Sequence, residues 1–137
     1  MSSRTVAILY PGDMGSGLGR LLRKHSVRVV TNLEGRSPRS QQLALTAGFE
    51  DLSSDRALLT TADTLISVLV PSASLAIAKR IAACAKTVEH GQLRTKFYVD
   101  ANAVSPHTAR QMSSFFNDSG ITFVDGSIIG GPPTSET

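Results

Sequence analysis

The chain has 137 residues, of which 41% are hydrophobic and 18% are charged, a composition that fits one folded domain and excludes an intrinsically disordered chain. The net charge of +3 comes from scattered basic residues, so we expect neither a nucleic acid nor a membrane as partner. A lone cysteine, Cys84, excludes an internal disulfide, and no apolar run reaches the roughly 18 residues that span a bilayer. We therefore expect a soluble, cytoplasmic domain.

Segments typical of strands and of helices alternate from the start of the chain. The β-branched run Thr5–Leu9 ends in proline and glycine, which predicts a short strand. Val27–Thr31 predicts a second strand, and Gln41–Ala47 predicts a short helix after it. The segment Phe49–Thr61 combines the signals of a short strand and one helical turn. Between the first two strands, apolar residues at helical spacing predict a helix with one apolar face: Met14, Leu18, Leu21 and Leu22.

The second half of the chain repeats this alternation. The almost continuously apolar run Thr64–Val70 predicts a strand that is covered on both faces, and Pro71 opens a helix after it. Lys96–Ala101 predicts a further strand, and Ser105 with the proline that follows it predicts a capped helix start. Ile121–Ile129 predicts the last strand. Because helices separate the strands, we predict an α/β fold with a doubly wound, mostly parallel sheet.

A glycine cluster, "YPGDMGSGLG", directly follows the first predicted strand and opens the first helix. A turn in this context lets a pyrophosphate approach the backbone and places it at the positive end of a helix dipole. The usual G-x-G-x-x-G spacing falls on Tyr10, Gly12 and Gly15, so the first glycine is replaced. We predict a dinucleotide-binding turn. A glycine-rich turn of some other α/β domain stays open as the alternative.

The segment "TNLEGRSPRS" bears on which dinucleotide is bound. Asn32 stands near the position where a carboxylate would accept a hydrogen bond from the 2′-hydroxyl of NAD. Arg36, Ser37 and Arg39 follow it as candidate ligands of a 2′-phosphate, because an arginine can fork onto two oxygens. We therefore predict NADP, with NAD possible. The alternative is a solvated loop in which Glu34 and Arg36 merely pair.

Three motifs in this order resemble the β-hydroxyacid dehydrogenases, which include 3-hydroxyisobutyrate and 6-phosphogluconate dehydrogenases. They are "GDMGSGLG", "VDANAVSP" and "VDGSIIGGPP", and the resemblance covers residues 6–133. It implies a Rossmann-type NADP-binding domain. It also implies that the complete enzyme transfers a hydride between the nicotinamide and a small hydroxy acid.

The resemblance assigns roles to particular positions. Gly130 and Gly131 would bring backbone amides to a substrate carboxylate, and Ile129 replaces the serine that often precedes them, which indicates a different substrate or a less polar pocket. The cofactor-binding residues that the resemblance implies are Gly12, Asp13, Met14, Gly15, Asn32, Arg36, Ser37, Val70, Pro71 and Asn102.

The family's catalytic lysine lies in an all-helical second domain, and Thr137 precedes any such region here. We therefore expect residues 1–137 to form one NADP-binding domain that holds no catalytic residue and is inactive alone. We expect no metal site, because the histidines lack the spacing of metal ligands. A non-catalytic dinucleotide-binding module that acts through a partner is the alternative function. A homodimer of the full-length form stays open.

Overall fold

A computed structural model describes residues 4–89 and 91–126. Strands and helices alternate along these residues as the sequence predicts. The strands are β1 (Thr5–Leu9), β2 (Arg28–Thr31), β3 (Glu50–Asp51), β4 (Thr64–Ser67), β5 (Phe97–Asp100) and β6 (Thr122–Asp125). The helices are α1 (Asp13–Lys24), α2 (Pro38–Ala47), α3 (Asp55–Thr61), α4 (Pro71–Thr87) and α5 (Pro106–Phe115).

The six strands form one sheet in the order β3-β2-β1-β4-β5-β6, and every neighbouring pair is parallel. This is the strand order of a Rossmann-type, doubly wound sheet, so the predicted fold class is confirmed. The chain direction across the sheet reverses between β1 and β4. Their carboxyl ends therefore border a crevice, which is where ligands bind in open α/β sheets.

Helices cover both faces of the sheet. On one face, α3, α4 and α5 enclose a core that contains Leu65 and Tyr98. On the other face, α1 packs over Ile8, with Met14 against it. On that second face the register places Phe97 and Val124 on adjoining strands, where they are 47% and 37% exposed.

Several element boundaries differ from the predicted ones for local reasons. Helix α2 begins three residues early, because the Ser37 hydroxyl accepts a hydrogen bond from the Ser40 amide. Strand β4 ends three residues early, because the Leu69 amide leaves the sheet and donates to the side chain of Asn102. The predicted cap of α5 is confirmed, since the Ser105 hydroxyl accepts from the Thr108 amide. The predicted last strand ends at Asp125 in the structure, and residues 127–129 lie outside the described part.

Glycine inside α1 serves close packing. Gly19 is buried in the middle of the helix, where glycine costs about 1 kcal/mol relative to alanine. A Cβ at this position would collide with the ring of Phe49. Glycine at position 19 therefore lets the helix lie against the Phe49 ring, which would have to move to admit a Cβ.

Asp63 ties the start of β1 to the loop before β5. Its carboxylate accepts from the Thr5 amide at 3.0 Å and from Arg94 Nε at 2.8 Å. Both bonds lower the pKa of Asp63 below its ordinary value, and the bond from the Thr5 amide contributes most.

We expect Asp63→Asn to lower the free energy of unfolding by less than about 1 kcal/mol at pH 7, since the side chain is 39% exposed and solvent screens it. The folded-state pKa is depressed, so the carboxylate stabilises the fold above the unfolded value of 3.8. That stabilisation is lost as the pH falls through the folded pKa. Urea unfolding of both proteins from pH 7 down to about pH 2 measures this. A difference that stays constant over the range would contradict the assignment.

Candidate functional site

The crevice between the carboxyl ends of β1 and β4 contains a cavity of about 250 Å³. Helices α1 and α4 begin beside it, and the loop after β2 closes one side. The sheet topology thus places three chain segments around a single space. The residues that line it are Tyr10, Gly12, Arg36, Ser40, Val68, Leu69, Val70, Ala73 and Ile77.

The glycine turn fits an anion at the start of α1. Gly12 is the N-cap of this helix and provides no side-chain cap. A Cβ at Gly12 would meet nothing within 4 Å, whereas a Cβ at Gly15 would collide with the carbonyl oxygen of Tyr10. Gly12 therefore leaves open space for a ligand, and Gly15 is required by the fold itself. Free amides and the positive end of a helix dipole suit a pyrophosphate.

Two other residues of the predicted turn lie away from the cavity. The Asp13 carboxylate accepts from Arg39 Nη2 at 2.8 Å, and both side chains are 69% exposed. Met14 is partly buried against the core that contains Ile8. Gly12 is thus the member of the four predicted turn residues that lines the cavity.

In the loop after β2, the structure separates the roles of three predicted residues. Asn32 is buried, where its Oδ1 accepts from the Glu34 amide and its Nδ2 donates to Asp55 Oδ1, each at 3.0 Å. Ser37 caps α2. Arg36 alone reaches the cavity. Asn32 and Ser37 therefore shape the loop that carries Arg36.

Tyr10 lines the cavity and stands at the sequence position where the fingerprint has its first glycine. The Arg36 Cζ atom lies 3.8 Å from the centroid of the Tyr10 ring. The Tyr10 hydroxyl accepts from Arg80 Nη2 at 2.6 Å, and Arg80 also binds both oxygens of Asp55. Within the described residues Arg36 forms no ion pair with Glu34, so the predicted alternative pairing is absent there.

The sequence pattern identifies Tyr10 only as the replacement of a glycine, and it does not indicate a role for Arg80 or Asp55. The replaced glycine was the one signal available, because a bulky residue at that position must place its side chain somewhere in the crevice. Nothing in the sequence connects Tyr10 with Arg80, 70 residues further on.

The wall after β4 combines exposed and buried residues. Val70, which is 63% exposed, and Pro71 begin α4 at the crevice. Asn102 is buried behind this wall, where its Oδ1 accepts from the Leu69 amide at 2.8 Å and its Nδ2 donates to Ser74 Oγ at 2.8 Å. Val70 thus faces the cavity, while the Asn102 side chain holds the wall in place.

Asn102 belongs to a buried polar cluster at the ends of β4 and β5. The fully buried Asp100 carboxylate accepts from the Ser74 hydroxyl at 2.8 Å and from the backbone amide of Asn102 at 3.0 Å. Asn102 Nδ2 also donates to Ser67 Oγ at 3.1 Å. The cluster therefore connects both strands with the first turn of α4.

The predicted substrate residues Gly130 and Gly131 lie outside the described residues. In residues 4–89 and 91–126, no group of three or more His, Cys, Asp or Glu side chains is arranged to hold a metal ion. No helix in the same residues is long and apolar enough to cross a membrane.

Comparison with known proteins gives a family match over nearly the whole chain. The family described as the NAD binding domain of 6-phosphogluconate dehydrogenase matches residues 5–137. An uncharacterized 28.5 kDa protein of Methanothermus fervidus is 29% identical over 119 residues, which are 87% of this chain and 43% of that protein.

Solved structures agree with this match. A conserved protein of unknown function with structural similarity to 3-hydroxyacid dehydrogenases is 32% identical, with a TM-score of 0.76 over 93% of this chain and 44% of that protein. The 3-hydroxyisobutyrate dehydrogenase of Mycobacterium tuberculosis is 20% identical, with a TM-score of 0.73 over 95% of this chain and 42% of that one. A Myxococcus stipitatus imine reductase in complex with NAD+ is 21% identical, with a TM-score of 0.72 over 96% and 42%. The chain thus spans less than half the length of these proteins.

Proposed function

Because the chain belongs to the family of the NAD-binding domain of 6-phosphogluconate dehydrogenase, we propose that it is the cofactor-binding part of a hydroxyacid dehydrogenase and prefers NADP. The observation that carries the cofactor preference is the position of Arg36 at the wall of the cavity. A bound nicotinamide dinucleotide supplies the hydride donor or acceptor. The residues of this chain bind and orient it.

The glycine turn would hold the pyrophosphate. Gly12 keeps the backbone open at the start of α1, and the helix dipole favours the negative charge. Val70 would cover the dinucleotide from the opposite wall of the crevice, because it is exposed there as an apolar side chain. The fit therefore rests on both sides of the topological switch point.

The side chains around the adenosine end support NADP over NAD. The end of β2 carries Asn32 instead of a carboxylate, and both ends of its amide are used within the protein. Arg36 supplies a guanidinium at the cavity, and that group can fork onto a 2′-phosphate. Glu34, the one carboxylate of this loop, is exposed and is not among the residues that line the cavity. Among the described residues, Arg36 is the charged side chain at the cavity wall, so the charge there is positive.

We expect Arg36→Ala to weaken NADP binding about tenfold, close to 1.4 kcal/mol, and NAD binding less than about twofold. The reason is that only NADP carries the phosphate that the guanidinium would bind. Calorimetric titration of the purified chain with both dinucleotides measures this. Arg110→Ala removes the same charge from the exposed side of α5 and is the matched control. Equal losses for both dinucleotides, or an equal effect of the control, would contradict the preference.

We also propose that catalysis requires residues beyond those matched here. The chain spans 42% to 44% of the structures it resembles, and the resemblance places the catalytic lysine in a second, all-helical domain. A small hydroxy acid would be the substrate, and a homodimer the full-length assembly. A cytoplasmic location is proposed with it, since the lone Cys84 forms no internal disulfide that would point to an oxidising compartment.

A non-catalytic module that acts through a partner is the weaker alternative. It predicts a domain without an exposed apolar patch. Phe97 and Val124 lie diagonally across β5 and β6 and are both exposed, on a part of the sheet that no helix covers among the described residues. Apolar residues on a sheet face usually pack against another element. This observation favours a domain that is one part of a larger enzyme.

A further inference from the structure

Tyr10 takes the place of a glycine at the crevice and contributes an aromatic ring to its wall. In the usual fingerprint the first glycine serves only the tight turn after the strand. Here the Tyr10 side chain is buried in the cavity wall, and the ring lies between the turn and the loop after β2. Arg36 covers the ring at 3.8 Å, a distance typical of a cation–π contact.

Hydrogen bonds hold Tyr10 at its backbone amide and at its hydroxyl. The Tyr10 amide donates to the Val68 carbonyl at 3.1 Å, which joins the turn to the chain after β4. The Tyr10 hydroxyl accepts from Arg80, and Asp55 holds that guanidinium through Nε at 2.8 Å and Nη2 at 3.2 Å. Tyr10 is therefore a rigid platform.

The loop brings Arg36 to this platform. The Arg36 amide donates to the Leu33 carbonyl at 3.0 Å, and the turn passes through Gly35 at φ +73°, a conformation that favours glycine. Gln41 Nε2 donates to the Arg36 carbonyl at 3.1 Å. No acceptor binds the side-chain N–H groups of Arg36 within the described residues, so these donors remain available to a ligand.

We propose that Tyr10 is a positioning residue that holds Arg36 ready for the 2′-phosphate of NADP, an inference that rests on the proposed function. A long arginine side chain loses rotamer freedom when it binds a phosphate. Stacking on Tyr10 removes part of that freedom beforehand, and preorganisation of this kind raises affinity. Loss of the platform should therefore weaken ligands that carry the 2′-phosphate and spare those that lack it.

The test compares 2′,5′-ADP with 5′-ADP by calorimetry, so it needs no enzyme activity. We expect Tyr10→Leu to weaken 2′,5′-ADP about five- to tenfold and 5′-ADP less than about twofold. Tyr10→Phe keeps the ring but loses its anchor, and a selective loss of about two- to threefold is expected. Combined with Arg36→Ala, Tyr10→Leu should cause no further selective loss, because the two residues act through one contact.

Thermal unfolding of each variant shows whether it is folded. If Tyr10→Leu does not fold, Arg80→Met replaces it in the test. This variant removes the hydrogen bond to the Tyr10 hydroxyl without changing the turn, so it should give the same two- to threefold selective loss as Tyr10→Phe. Equal weakening of both nucleotides, or a selective loss that persists without Arg36, would overturn the role of Tyr10. Binding of neither nucleotide by the unaltered chain would overturn the proposed function and this inference with it. Preference for 2′,5′-ADP that depends on Arg36 but not on Tyr10 would overturn the inference alone.

Discussion

Gly15→Ala is expected to destabilise the domain by about 3 kcal/mol, a large part of the roughly 5 to 15 kcal/mol that holds a domain of this kind folded. A Cβ at Gly15 would collide with the carbonyl oxygen of Tyr10 and lie 3.1 Å from its carbonyl carbon. Both are backbone atoms, so the strain cannot be relieved by rotating a side chain. Helix α1 and the end of β1 would have to separate.

Gly12→Ala, three residues earlier, is the matched variant. A Cβ there meets nothing within 4 Å, so the loss is limited to the poorer N-cap that alanine makes, and we expect the free energy of unfolding to fall by no more than about 1 kcal/mol. The same Cβ would project into the space proposed above for the pyrophosphate. We therefore expect NADP and NAD to bind at least about tenfold more weakly, and to equal degrees, because they share this group.

Urea unfolding and calorimetric titration of the two variants measure both effects. The pair separates a glycine required by the fold from one required by the ligand. Full affinity in Gly12→Ala would show that the dinucleotide does not lie against this turn. Unchanged stability in Gly15→Ala would show that β1 and α1 are not packed as closely as the structure has them.

The fold was predictable because its signals are local. Ser105 and the proline after it predict a helix start from adjacent residues, and the same arrangement at Ser37 begins α2. The apolar run from Thr64 predicts a strand buried on both faces. Alternating strands and helices then leave a parallel, doubly wound sheet as the favoured arrangement, because right-handed crossovers connect parallel neighbours.

The site was predictable only in part, because several of its contacts join residues far apart in sequence. Gly12 and Arg36 could be placed by their distance from strands, and both line the cavity. Apart from Asp100, the partners of Asn102 lie 28 to 35 residues away, so its role in holding the wall carries no local pattern. The same holds for Tyr10 and Arg80. Side-chain contacts across the crevice depend on packing, which spacing rules do not describe.

Replacement of Asn102 should also destabilise the domain, because its side chain joins the wall after β4 to a buried polar cluster. Asn102→Ala would leave the partly buried Leu69 amide without its acceptor, and the buried Asp100 carboxylate would lose the Nδ2 donor that lies 3.3 Å away. An unsatisfied buried polar group costs about 1 to 3 kcal/mol, and Leu69 is only partly buried, so we expect a loss of about 1 to 2 kcal/mol in the free energy of unfolding. Because Leu69 lines the cavity, dinucleotide affinity should also fall in protein that remains folded.

Asn102→Asp keeps the shape of the side chain and tests where it points. Asn102 Nδ2 lies 3.3 Å from Asp100 Oδ2, so the substitution would place two carboxylates together in a buried site. Repulsion raises the folded-state pKa of the introduced carboxyl above its unfolded value of about 3.9. Its stability deficit should therefore be small below that pH and grow as the pH rises to the folded pKa.

Urea unfolding between about pH 4 and pH 8 measures this deficit. Asn102→Ala introduces no titratable group, so subtracting its deficit isolates the effect of the new carboxyl. A difference that does not grow with pH would mean that the side chain at position 102 can turn away from Asp100. The buried cluster would then be too loose to hold Leu69, and the crevice wall would need another support.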